Sequence, residues 1–215
     1  TNAHDILRQL FAAKLKRLEA RKKTVHEEEK NTYLEAIKEL NEALTKIELE
    51  HFKGNPGDDI YRKFNWAKVL LYNELSICHS GLAESSIALG YAERSISLLK
   101  KIVSCRDIPI YKSHPTIKLL YTFALYNKGE AERLLHNYDR SLKSFNEILE
   151  IYDKYWTEKI PSDYYSASIK CAILLIDMAR GKEALKILEK LDSLKMVDPN
   201  DYRIQEGNLE KSNAL

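Results

Sequence analysis

An apolar rhythm with a period of 3.6 residues runs through nearly the whole chain, and it constrains the fold more than any single residue does. From Asp5 to Lys22 apolar side chains fall at Ile6, Leu7, Leu10, Phe11, Leu15 and Leu18; the next run carries Leu34, Ile37, Leu40, Ala43, Leu44 and Ile47. Positions i, i+3, i+4 and i+7 share one face of an α-helix, so each run makes a rod with one face that must be covered. No strand-like alternation competes. Gly (7) and Pro (5) are few in 215 residues, as a helical chain requires.

The breaks set the element count. Thr24-x-x-Glu27 reads as a capping box, and Gly54-Asn55-Pro56-Gly57 as a loop. A helical stretch from Tyr61 to Leu89 is interrupted only at Ser80-Gly81; Gly90 is expected to turn the chain into a helix ending near Val103. Cys105 to Ser113 reads as a connector. His114-Pro115 opens the next helix, with Pro at a position that costs no hydrogen bond. Ile160-Pro161-Ser162 and Asp198-Pro199-Asn200 are further breaks. The expectation is one domain over 1–215 with about eight helices in four hairpins. These are an N-terminal hairpin over 1–53, hairpins over 59–104, 114–157 and 162–195, and a segment 196–215 that begins a further helix.

Internal repetition separates a stacked array from a closed bundle. A small residue, a large apolar one four on and an apolar or small one seven on recur as Ala36, Leu40 and Ala43; Ser95, Leu99 and Ile102; Ser141, Phe145 and Ile148; and Ala184, Leu188 and Leu191. The small residue lets a partner helix approach and the large one fills the gap between them. A lone hairpin cannot bury such a face, so hairpins stack.

The run Ala124-Leu125-Tyr126-Asn127-x-Gly129-x-Ala131, followed by Asn137-Tyr138-Asp139-x-Ser141-x-x-x-Phe145, resembles the tetratricopeptide repeat (TPR). The likeness is close over Ala124 to Ile151 and looser around Ser95 and Ala184. It implies a right-handed α-solenoid in which Gly129 sits where the neighbouring helix packs closest, Tyr138 marks the corner, and Ser141 and Phe145 fill the hairpin. Two features depart from the family: the spacings of the small residues exceed its usual ~34-residue repeat, which implies longer than usual helices, and Glu132 stands where Tyr is usual. The resemblance also implies a concave groove that takes a peptide or helix of a protein partner. Its lining would be Ser80, Glu84, Tyr126, Glu130, Arg133, Ile169 and Ile173. Because Glu84 and Glu130 stand where a subtype of the family carries cations for acidic C-terminal tails, such tails are expected to be rejected.

Chemistry-bearing constellations are missing from the sequence. His26-Glu27 lacks a second His at position 30, so it is no zinc-protease motif. Cys78 and His79 are adjacent and point to different sides of a helix. There is no nucleophile elbow, phosphate loop or dinucleotide fingerprint. No catalytic, cofactor or metal residue is therefore assigned, and the expectation is a non-catalytic scaffold or adaptor. Its main alternative is the regulatory arm of a larger enzyme, a protease or nucleotide-dependent switch, to whose further domains the chain would be attached. RNA binding is the weaker alternative. With 34 Lys plus Arg against 32 Asp plus Glu the net charge is +2, and the basic cluster Lys14 to Lys23 is followed at once by Glu27 to Glu29, so nucleic acid is not expected as a partner. Three separated cysteines, Cys78, Cys105 and Cys171, with no visible signal sequence and no apolar run near the ~20 residues of a membrane span, point to a reduced, cytoplasmic setting without membrane insertion. Thirteen Tyr against five Phe would suit a binding surface, or packing between helices with the hydroxyls at the edge.

Overall fold

A computed structural model describes residues 9, 12–18, 26–51, 59–104, 112–155 and 162–193. The described residues fold into α1 (12–18), α2 (His26–His51), α3 (Asp59–Gly81), α4 (Ser85–Ser104), α5 (Pro115–Leu134), α6 (Tyr138–Tyr155), α7 (Ser162–Asp177) and α8 (Gly181–Ser193), with no strand among them. Thr24, the loop at Gly54–Gly57, Cys105, the Asp107-Ile108-Pro109 connector, Pro161 and the segment 196–215 lie outside the described residues.

Two compact units divide the chain inside α5, one ending at Asn127 and the other beginning at Lys128. In the first unit Tyr33, Ala36, Leu40, Ala43, Leu44 and Ile47 of α2 face Leu71, Leu75 and Cys78 of α3, with Ala13 of α1 in the same core. The predicted small and large positions of α2 are thus interior. Gly81 allows the closest approach there, because a Cβ at Gly81 would lie 2.5 Å from Cζ of Tyr33. A buried ion pair ties α1 to α3, with Arg17 Nε 2.7 Å from Glu74 Oε2. Lys16 of α1 reaches Glu39 of α2 at 2.6 Å. In the second unit Phe145, Ile148, Ile151 and Tyr152 of α6 and Tyr164, Tyr165, Ala167, Cys171 and Leu174 of α7 are buried, the rings of Tyr152 and Tyr164 meet edge to face, and Ala184, Leu188 and Leu191 form the buried side of α8.

Three helix corners share one construction. Ala83, His136 and Ala179 adopt left-handed backbone conformations with φ of 59°, 59° and 58°. At each corner two amides return to the preceding helix. Glu84 N and Ala83 N donate to the carbonyls of His79 and Ser80, Asn137 N and His136 N to those of Glu132 and Arg133, and Arg180 N and Ala179 N to those of Leu175 and Ile176. This pattern satisfies carbonyls that the helix end would otherwise leave unpaired. None of the three residues is the Gly that usually occupies such a site, which is why the corner after α3 is hard to read from sequence. The structure corrects the sequence expectation here: the chain turns at Leu82-Ala83-Glu84, and Gly90 lies inside α4. The start of α5 agrees with the sequence. The His114 carbonyl accepts from Ile117 N and Lys118 N, leaving Pro115 in the first turn.

Candidate interaction surface

The corners fix how each hairpin pairs its two helices. Ser141 and Ala184 each stand five residues after a left-handed corner, and five after Ala83 is Ala88. The hairpin of α3 and α4 therefore presents Ala88, Ala92 and Ser95 in the places that sequence spacing assigned to Ser95, Leu99 and Ile102. Ser95 and Leu99 are buried all the same, one and two turns further along the interior face. The corner-to-corner intervals are 53 residues from Ala83 to His136 and 43 from His136 to Ala179, so the repeat is less regular than the intervals of 46 and 43 between the small residues suggested.

Residues twelve apart across a corner face each other. The Ser76 hydroxyl donates to the Ala88 carbonyl at 2.8 Å, and the Ser141 hydroxyl to the Gly129 carbonyl at 2.7 Å. The same contact is made from opposite helices in the two hairpins. Three residues on, His79 stacks on Tyr91 with centroids 5.5 Å apart, and Ser144 donates to Glu132 at 2.8 Å. Glu132 is 1% exposed, and Lys128 lies 3.3 Å from its other oxygen. A buried carboxylate needs such neutralising partners, so Lys128 and Ser144 explain how Glu132 occupies a place where the resembled family uses Tyr. A Cβ on Gly129 would stand 2.8 Å from Cζ of Phe145, which makes Gly129 the closest approach of α5 to α6.

The seven residues assigned to the groove are placed as follows. In the second unit Glu130 and Arg133 of α5 are half-buried and paired through two 3.3 Å contacts, and Lys170 of α7 reaches Glu130 at 3.6 Å. Ile173, three residues after Lys170 on α7, is half-buried, whereas Ile169 is 1% exposed and belongs to the core. In the first unit Tyr126 and Ser80 are half-buried, and Glu84 sits in the corner itself, 2.5 Å from Nδ1 of His79. Two cations surround the Glu130 carboxylate, leaving the trio with a net charge of +1. The repulsion expected of Glu130 toward an acidic tail therefore loses its basis, because Arg133 and Lys170 compensate it, whereas Glu84 gives one oxygen to His79 and keeps 43% of its side chain exposed. Lys170 was missed by sequence reasoning. Only its position one residue after Ile169 on the same helix could have signalled it.

Several tyrosines serve the core rather than a surface: Tyr121, Tyr152, Tyr164 and Tyr165 are between 2% and 4% exposed. The Tyr164 hydroxyl donates to Asp153 at 3.0 Å, and Lys190 lies 2.8 Å from the same carboxylate and over the Tyr164 ring. Burial raises the Tyr164 phenol above its ordinary pKa. For Lys190 burial acts downward, but hydrogen bonds to Asp153 and Tyr164 outweigh it and raise the ammonium. Cys171 is buried and its thiol is pushed up to about 12 by burial. Cys78 is buried too, and His79 beside it is 8% exposed, more enclosed than its sequence suggested. Among the described residues no group of three or more His, Cys, Asp or Glu side chains is arranged to hold a metal ion, and no helix is long and apolar enough to cross a membrane.

No family model matches the sequence, and no curated protein matches it. Solved structures do. One from Podosopora anserina, described as a kinesin light chain of nearly identical TPR-like repeats, superposes with a TM-score of 0.68 at 12% identity, covering 99% of this chain and 86% of the other. BtubC (BKLC) from P. vanneervenii matches with a TM-score of 0.52 at 14% identity, covering 97% of this chain and 86% of its own. With paired helices, corner-locked hairpins and these structural neighbours together, the chain has the all-α fold of a TPR-like helical-repeat protein.

Proposed function

We propose that the chain is a non-catalytic scaffold that binds a peptide or helix of a protein partner along its first-helix surface. The observation that carries this reading is the half-buried charged trio Glu130, Arg133 and Lys170 on α5 and α7, in which the side chains are held by one another, with half-buried Ile173 three residues after Lys170 on α7. Such a row is pre-organised, so a partner that exchanges into it loses little side-chain entropy on binding. The TPR-like fold of the structural neighbours supports the same reading.

The test is site-specific photocrosslinking in the native cell from Arg133 and Ile173, with exposed Lys143 on α6 as the control position. A defined protein crosslinked from the first two positions and not from the third supports the reading. Equal labelling from all three positions, or none from Arg133 and Ile173, refutes it.

A further inference from the structure

A cleft of about 320 Å³ opens between the first turns of α2 and the corner that ends α3. Its floor and walls are apolar, made by Tyr33, Leu34, Leu82 and Ala83 against Gly81, and Leu34 is 45% exposed. Its rim is acidic. Glu29 and Glu84 line it with a single cation, Lys30, and Glu27 and Glu28 precede Glu29 in the same turn of α2. Glu84 spends one oxygen on His79 and leaves 43% of its side chain exposed. Glu29 makes no ion pair among the described residues. The cleft lies wholly within the first unit and shares no residue with the row of Glu130, Arg133, Lys170 and Ile173.

We propose that this cleft docks a basic side chain, arginine or lysine, of a protein partner. A long aliphatic stem fits between Tyr33, Leu34 and Leu82, while its cationic head reaches the carboxylates of Glu29 and Glu84. Stem and head answer the two halves of the lining separately. A carboxylate side chain meets like charge at the rim, and a purely apolar one leaves both glutamates unanswered.

Amide chemical-shift mapping on the full chain tests this with three short probes, acetyl-Leu-Arg-Leu-amide and its Gln and Glu counterparts. The arginine probe is expected to shift the amides of residues 30–34 and 81–84. The Gln probe, and the arginine probe on Glu29→Gln, should each bind at least about tenfold more weakly, the loss of one charge-assisted hydrogen bond. Glu29→Gln changes a half-buried helix residue that makes no ion pair among the described residues and leaves the fold intact, and Glu84→Gln keeps a hydrogen-bond acceptor for His79, so the variants report binding and not folding. Equal binding of the Arg and Gln probes, indifference to both substitutions, or shifts confined to residues 130–173 would each overturn the assignment. The last outcome would leave the groove reading standing.

Discussion

Gly129 is the position at which one missing methyl group decides a helix-to-helix distance. Gly129→Ala pushes a Cβ into the Phe145 ring, and overpacking of this kind costs about 1–3 kcal/mol. Chemical denaturation should show the loss, and Phe145→Leu in the same chain should recover part of it by freeing the space. Phe145→Ala alone empties a fully buried site and should cost about 3–5 kcal/mol. The likeness to the TPR made Gly129, Ser141 and Phe145 legible, because its motif lies within one hairpin. It gave no hint that the Ser141 hydroxyl bonds the Gly129 carbonyl, or that Ser76 makes the mirrored bond to Ala88. Cys78 and Cys171 are enclosed, and the Cys171 thiol is pushed up to about 12. Only the thiolate attacks a disulfide reagent, so neither should react at pH 8 until the chain unfolds, as a thiol-release assay with and without denaturant would show.

At the scale of the element, the corners and the cross-helix clips hold each hairpin closed. Ala83 and Ala179 bear left-handed backbone that Gly adopts without strain. Ala179→Gly should therefore be neutral or stabilising by up to about 1 kcal/mol, the relieved strain being partly offset by a freer unfolded chain. Thermal unfolding compares it with Ala184→Gly, which sits inside α8 and should destabilise. The clip of Asp153, Tyr164 and Lys190 joins α6, α7 and α8. Tyr164 and Lys190 both have raised folded-state pKa values, so their stabilising share is fully present below the unfolded values near 10.0 and 10.5 and is lost as pH rises through the folded ones. Melting temperatures followed from pH 8 to 11 should fall at the alkaline end, and Tyr164→Phe should flatten that fall. A profile unchanged by Tyr164→Phe would show that the phenol plays no part in it.

At the scale of the whole molecule, the chain divides into two compact units. Each unit has its own buried side chains, so damage in one need not reach the other. Leu40→Ala in α2 should expose amides of the first unit to hydrogen exchange more than those of α8, whereas Leu188→Ala should do the reverse. Uniform loss of protection in both variants would mean that the units unfold as one. Helical periodicity, the Pro115 start and the interior faces of α2, α6 and α8 were legible because each depends on neighbours within two turns. The register of α3 against α4 was not legible: Ser95 and Leu99 satisfy the small-and-large pattern, whereas Ala88 and Ala92 are both small, and only the position of the turn shows that Ala88 and Ala92 take those places.

By itself the sequence determined that this chain is helical and that its helices need partners on one face, both of which follow from spacing along a rod of fixed pitch. Its likeness to the TPR added the expectation of a close approach at Gly129, which the Phe145 ring makes. Tertiary structure alone decided where the first described corner falls, which charges are spent on each other, and which are left to face outward. Many of those outcomes depend on contacts between residues far apart in sequence, twelve positions for Ser76 and Ala88 and fifty-seven for Arg17 and Glu74, and no local period encodes which of several equivalent turns comes to rest against its neighbour.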